Sequence, residues 1–178
     1  MKKLRNDELG RLTTDEFKKA KKIPVVVILD NVRSRYNIGS VFRTSDAFLV
    51  EAIYLCGITS APPHKDIHKT ALGATETVDW HYYKDTIDPL FMLKQQGYKA
   101  VAVEQTTESI SLQNFRIDRY RKYAFIFGHE VRGVDQKVID LCDISLDIPQ
   151  SGTKHSLNIS VTVGLVLWEI FRQFRWNQ

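Results

Sequence analysis

Pro24-Val25-Val26-Val27-Ile28-Leu29 is an apolar, β-branched run with no alternation of apolar and polar positions. A strand with one wet face would alternate. A run that does not alternate reads as a strand covered on both faces, the pattern of a parallel sheet flanked by helices. Similar short runs recur at residues 52–56, 99–103, 123–127 and 144–148, with a weaker one at 77–82. Between them helical patterns are expected over 39–49, 86–96 and 135–141, the second closed by Gly97 as the residue just past the helix. Strands alternating with helices predict an α/β fold, an open, mainly parallel sheet of six strands.

Residues 1–22 read as a separate extension, with a mostly polar helix expected over 7–21, and residues 23–178 as the main domain. Of 25 Lys and Arg against 21 Asp and Glu, the extension holds eight basic and four acidic residues. The formal charge of +4 therefore belongs entirely to the extension, and the domain beyond it is neutral. A composition 43% hydrophobic and 26% charged excludes a disordered chain. No stretch has the run of about 20 apolar residues that a membrane span needs. Residues 1–22 lack the apolar core of a secretory signal. Cys56 and Cys142 are isolated, which points to a reducing cytoplasm and away from a disulfide framework.

The last segment carries two apolar stripes at helical spacing. Leu157, Val161, Leu165 and Trp168 form one; Ile159, Val163, Val166, Ile170 and Phe174 form the other. A helix apolar on nearly all sides must be buried on nearly all sides. In so small a domain the sheet covers one stripe, and a second copy of the chain is expected on the other. A central helix in a monomer is the alternative.

Three polar segments interrupt the apolar pattern where strands end. The first runs from Leu29 through Asn31, Arg33, Arg35, Tyr36, Asn37, Ile38 and Gly39 to Arg43. Ligand sites of α/β proteins lie at such strand-to-helix turns, and arginines, asparagines and an aromatic suit phosphate and base contacts. The alternative is a solvated turn with Asn37 as a helix cap. Arg43 speaks against it, because it lies within an apolar helical stretch and calls for an anionic partner. The second segment is Phe127-Gly128-His129-Glu130-Val131-Arg132-Gly133. There Gly128 would admit close approach of a ligand to the backbone. Glu130 is a base, a cation partner or half of an ion pair with Arg132, and the pair is the reading the segment alone favours. The third runs from Ile148-Pro149-Gln150 through Gly152 to Ser156-Leu157-Asn158-Ile159-Ser160. One of its small polar groups, Ser156 or a neighbour, would cap the final helix, which leaves two unexplained.

In this order and with these separations, the three segments resemble the signature motifs of the SpoU/TrmH family of RNA ribose methyltransferases, within the SPOUT superfamily. The matching residues are Asn37-Ile38-Gly39 with Arg43, Gly128 with Glu130 and Gly133, and Ile148-Pro149 with Gly152 and Ser156-Leu157-Asn158. Residues 69–74 also look like the family's connector between motifs. The resemblance implies a C-terminal trefoil knot in the sheet, although general topology disfavours knots. It also implies a homodimer through the C-terminal helix, and S-adenosylmethionine held in the knot largely by backbone groups. Carried over, the cofactor residues are Val103, Glu104, Gln105, Gly128, His129, Ile148, Pro149, Gln150, Ser156 and Leu157. The catalytic set is Arg43, Asn37, Glu130, Ser156 and Asn158. Arg43 would grip the target phosphate and 2′-OH, Asn37 would position Arg43 or the ribose, and Glu130 would orient Arg43 or groups of the other subunit. Arg33, Arg35 and Arg43 would contact RNA, either tRNA or rRNA. Gln150 departs from the family's usual methionine, and His129 from a small or polar residue. The rival readings are a non-catalytic RNA-binding protein of the same fold and a base-directed RNA methyltransferase.

His64 and His68 are four residues apart, a spacing metal sites use, but no HExxH glutamate accompanies them and no metal is expected. Trp80-His81-Tyr82-Tyr83 offers rings for base stacking, but an ordinary strand or core edge is the preferred reading.

Overall fold

A computed structural model describes residues 1–175. Seven strands form one fully parallel sheet: β1 (Ile23–Asp30), β2 (Val50–Cys56), β3 (Asp79–Tyr83), β4 (Tyr98–Val103), β5 (Ile110–Ser111), β6 (Lys122–Phe127) and β7 (Ile144–Asp147). Their order across the sheet is β3-β2-β1-β6-β4-β7-β5. The count exceeds the expected six by β5, which has two residues and only edge pairing to β7. Two residues are too short to leave a hydrophobic signature.

The absence of alternation in β1 has a direct structural cause. Val25, Val27 and Leu29 face one hydrophobic cluster, while Val26 and Ile28 face another on the opposite side of the sheet. All five are at most 1% exposed. In register, Val27 pairs with Ile53 of β2 and with Phe125 of β6. The first cluster is covered by α2 (Arg35–Ala47), α3 (Lys65–Ala71), α4 (Ala74–Thr77) and α7 (Ile159–Arg175). The second is covered by α5 (Ile87–Gln95) and α6 (Gln136–Ile139). Truncating a side chain such as Ile28 to alanine at this centre costs about 2–5 kcal/mol.

Several local expectations change. Helix α2 starts at Arg35, four residues before the expected Gly39, because the Ser34 hydroxyl accepts the Asn37 N–H (3.3 Å) and caps it. Asn37 is thus in the first turn and is not the cap. Helices α3 and α4 lie in a stretch for which no helix was expected; their short apolar faces are too brief to read. Close packing of α2 on α3 depends on Gly39, where a Cβ would overlap Thr70 and the Ile67 carbonyl.

The single N-terminal helix expected over 7–21 is two pieces, a 3-10 turn at Asn6–Leu9 and α1 at Thr14–Lys19. Gly10 takes a left-handed conformation (φ 58°) that ends the first piece. Thr13 and Glu16 then open the second as a capping box, with Glu16 accepting the Thr13 N–H (2.8 Å). Phe17 anchors α1 to the domain at 4% exposure, and Lys22 lies over its ring.

Of the two stripes on α7, Ile159, Val163, Val166 and Ile170 are buried. Leu157, Val161, Leu165 and Trp168 are 38%, 50%, 43% and 46% exposed. No helix among the described residues is long and apolar enough to cross a membrane.

Candidate functional site

The strand order reverses direction between β1 and β6, and parallel sheets place ligands beyond the carboxyl ends at such a point. Both strands end there in built loops. Asp30 closes β1 at 2% exposure and accepts from the Thr86 hydroxyl (2.6 Å), the Asn31 side-chain amide (2.9 Å) and the Asp135 N–H (3.1 Å). An acid ending a fully buried strand was the available signal for this residue, and it passed unread.

After β6 the chain makes a closed loop. His129 and Gly133 exchange backbone hydrogen bonds (3.0 and 2.8 Å). The His129 Nδ1 accepts the N–H groups of Val131 (3.0 Å) and Arg132 (3.4 Å), which gives this buried imidazole a role in closing the turn. Gly128 was expected to admit a ligand. What approaches it is the protein's own chain: a Cβ there would fall inside the backbone of Gly133 and Val134. Glu104, expected at the cofactor, spends its carboxylate on the same loop, accepting from the Val134 N–H (3.0 Å) and the Gln105 N–H (2.9 Å).

Glu130 forms no ion pair with Arg132 and no bond to Arg43 among the described residues, which leaves groups of another subunit as the open part of its expected role. Its two oxygens accept the backbone N–H groups of Arg33 (3.0 Å) and Ser34 (2.8 Å) and the Asn37 amide (3.3 Å). The reason is geometric: the switch point brings the β1 loop against the β6 loop, and backbone donors there would otherwise lack partners. Asn37 passes the connection on, accepting from the Asn158 amide at its Oδ1 (3.3 Å). Asn158 also caps α7, its Oδ1 taking the N–H (2.9 Å) and hydroxyl (2.7 Å) of Ser160. Glu130, Asn37 and Asn158 thus join all three segments in one hydrogen-bonded line. Ser156, the other candidate cap, is exposed and makes no side-chain hydrogen bond among the described residues.

Burial opposes ionisation of Glu130, but the backbone donors of Arg33 and Ser34, with Asn37, prevail and hold its carboxyl below the ordinary 4.5. A group whose folded value is depressed stabilises the fold above its unfolded value and loses that contribution as pH falls through the folded one. Glu130→Gln, which sets an amide against three donors, is expected to cost about 1–3 kcal/mol at neutral pH. The gap between variant and wild type should close as pH drops below 4.5, as read from denaturant unfolding across pH. A gap constant with pH would contradict the assigned network.

Beside this line lies a cavity of about 510 Å³ at the carboxyl ends of β4, β6 and β7. Val103, Glu104, Gln105, Gly128, His129, Ile148, Gln150, Ser156 and Leu157 line it, together with Glu130 and Asn158; Pro149 does not. Phe127, Arg132, Leu146, His155 and Thr162 also line it and were not among the residues expected at the cofactor. Burial pushes the thiols of Cys56 and Cys142 up to about 12, so both stay protonated at neutral pH. No group of three or more His, Cys, Asp or Glu that could hold a metal ion occurs among the described residues.

Arg43, Asn37, Arg33 and Arg35 are not on the cavity wall. Arg33 is exposed, and Arg35 donates to the Ser60 hydroxyl (3.2 Å). Arg43 is exposed on the outer ridge of α2, with Tyr36 and Ala47, and no described residue engages it. The anionic partner that its helical setting called for is therefore not among the described residues. Helix α2 also packs on α7, and just past its end Phe48 packs on Trp168 and Phe171 with ring centres 6.0 and 5.4 Å apart.

The sequence pattern of the SpoU rRNA Methylase family matches residues 24–168. The chain is 31% identical over 153 residues to the 23S rRNA (guanosine-2′-O-)-methyltransferase RlmB of Nitrosomonas europaea, an overlap of 84% of this chain and 56% of that protein. It therefore spans little more than half that relative's length. Its structure is similar to the TrmH/SpoU tRNA modifying enzyme of A. aeolicus (TM-score 0.77, 26% identity, 88% of this chain and 78% of that one). It shares its fold with an AdoMet-bound rRNA methyltransferase of Sinorhizobium meliloti (TM-score 0.79, 24% identity, 90% of this chain and 61% of that one).

Proposed function

This chain belongs to the SpoU rRNA methylase family, and from that premise we propose that it transfers a methyl group from S-adenosylmethionine to a ribose 2′-OH of structured RNA, either tRNA or rRNA, in the cytoplasm. The observation that carries the reading is the hydrogen-bonded line Glu130–Asn37–Asn158 at the mouth of a cavity of nucleoside size. The cavity fits the cofactor chemically. Val103, Phe127, Leu146 and Ile148 offer apolar walls for a flat base, and Gln105, Gln150 and Asn158 offer a polar rim. Val103, Gly128, Ile148, Gln150, Ser156 and Leu157 would hold it. When bound, S-adenosylmethionine supplies a methyl already activated on a sulfonium.

The protein's remaining task is to align the attacking oxygen and let its proton leave. Arg43 would grip the RNA phosphate beside that 2′-OH. A guanidinium is a poor general base, so the adjacent phosphate is the better proton acceptor. Asn37 and Asn158, locked by Glu130, would fix the ribose.

The exposed α7 stripe supports a homodimer in which two copies cover it. Pairing there would also bring the α2 ridge and Arg43 of one chain toward the cavity of the other. Leu165→Glu is expected to yield a monomer by sedimentation and to lose methyl transfer; a dimeric, active variant would remove this interface. A trefoil knot is supported by the sheet order, since the late strands β6 and β7 each lie between earlier ones.

The activity is tested by incubating the protein with total RNA and methyl-labelled cofactor, followed by alkaline hydrolysis. A methylated ribose blocks cleavage at its phosphodiester, so label is expected in alkali-resistant dinucleotides. Label released wholly as mononucleotides would indicate base methylation. No label, with RNA bound, would favour a non-catalytic RNA-binding protein.

A further inference from the structure

A second cavity, about 490 Å³, opens between α3, α4 and β3, away from the strand ends that carry the first. Trp80 forms one wall, half-buried, with its indole N–H unpartnered among the described residues. Lys65, His68 and Glu76 line the rim, all exposed and with no side chain hydrogen-bonded or ion-paired among the described residues. An indole face beside free cationic and accepting groups matches the three parts of a nucleotide. The ring stacks a base, the carboxylate accepts its amino or imino N–H groups, and the Lys65 ammonium meets phosphate.

Beside this cavity, α3 carries exposed basic residues that reach Tyr36 at the start of α2. On α3, Lys65, His68 and Lys69 are exposed at helical spacing, so they share one face. The Lys69 ammonium lies 5.8 Å from the centre of the Tyr36 ring, and the Thr70 hydroxyl donates to the Tyr36 carbonyl (2.9 Å). Tyr36 is 48% exposed and immediately precedes Asn37. Asp66, the acid of this helix, is turned to His64 (3.8 Å).

We infer that the outer face of α3 is an RNA track, along which the strand leaves the methylation site over Tyr36, follows Lys69 and Lys65, and inserts an unpaired base against Trp80. The inference rests on the proposed RNA substrate and adds a second nucleotide site to it. It also gives the neutral domain a local source of phosphate affinity that its net charge conceals.

The test uses the full chain with fluorescein-labelled total tRNA and a labelled single-stranded RNA dodecamer of mixed sequence, titrated over a range of salt. Lys65→Ala/Lys69→Ala is expected to weaken binding about tenfold and to reduce the slope of log affinity against log salt by about 1.5. Trp80→Leu is expected to weaken binding about tenfold with the slope unchanged, because stacking releases no counterions. Both should retain wild-type affinity for S-adenosylhomocysteine, which reports an intact fold. Wild-type RNA affinity in either variant would overturn the proposal. Ultraviolet cross-linking of the same RNAs to the unmodified protein gives a reading that no folding defect can blur. Adducts are expected on the peptides carrying Tyr36, residues 64–69 and Trp80, and their absence overturns the track. Adducts there without methyl transfer would sink the proposed activity and leave the track standing; methyl transfer without them would do the reverse.

Discussion

Arg43→Ala is expected to lower methyl transfer by about 10²–10³-fold while leaving the affinity for S-adenosylmethionine within about twofold of wild type. The separation of the two effects follows from position. Arg43 is exposed on the α2 ridge and absent from the wall of its own chain's cavity, so its removal takes nothing from cofactor contacts. It also leaves no buried polar group behind, so stability should hardly change. Single-turnover transfer and equilibrium binding of the cofactor check this on the same sample, and equal loss of both would sink the role given to Arg43. The same variant tests where the guanidinium acts. In the proposed homodimer, mixed from Arg43→Ala and Gly128→Ala chains, one subunit would have an intact cavity and the other an intact arginine. If Arg43 serves the partner's cavity, mixing restores transfer; if it serves its own, every site in the mixture stays dead.

Gly128→Ala carries the second large effect. The added Cβ would overlap the backbone of Gly133 and Val134, and backbone cannot yield as a flexible side chain can. The loop must open, which breaks the His129–Gly133 pair and the bond from the Val134 N–H to Glu104. Overpacking of this kind costs about 1–3 kcal/mol, and at about 2–4 °C per kcal/mol Tm should drop by about 2–12 °C. Because the displaced loop is also the β6 side of the cavity, affinity for S-adenosylhomocysteine should fall by about 100-fold or more, a change of about 2.7 kcal/mol. Calorimetry reads both. A stable variant that binds normally would mean that the loop tolerates an open form and that Gly128 has no part in the site's shape.

Much of the architecture was legible because burial writes directly into composition. The run at 24–29 had to be covered on both faces, and it is a buried interior strand of the parallel sheet, between β2 and β6. The two stripes on the last helix were separable by spacing alone, and the structure buries one and exposes the other. Short elements were not legible: β5 with two residues and α4 with four bury too little to leave a periodic trace. The break between the N-terminal 3-10 turn and α1 lay in plain view as Gly10 and a Thr13–Glu16 box, outweighed by a polar helical pattern.

Residue types and spacing alone determined that three polar segments end buried strands, and that Asn37, Glu130 and Asn158 stand among them. Only the tertiary structure decided what these groups do to one another. Glu130 looked like a partner for Arg132, two positions away, or for Arg43. The crossing of β1 and β6 instead sets it against backbone donors 96 and 97 residues earlier in the chain. Gly128 lines the cavity, and the space that its missing Cβ leaves is taken by Gly133 and Val134. Local sequence can specify what each residue is able to bond, because that is chemistry of the side chain. Which partner it meets depends on how distant strands are ordered in the sheet, and no local pattern encodes that order.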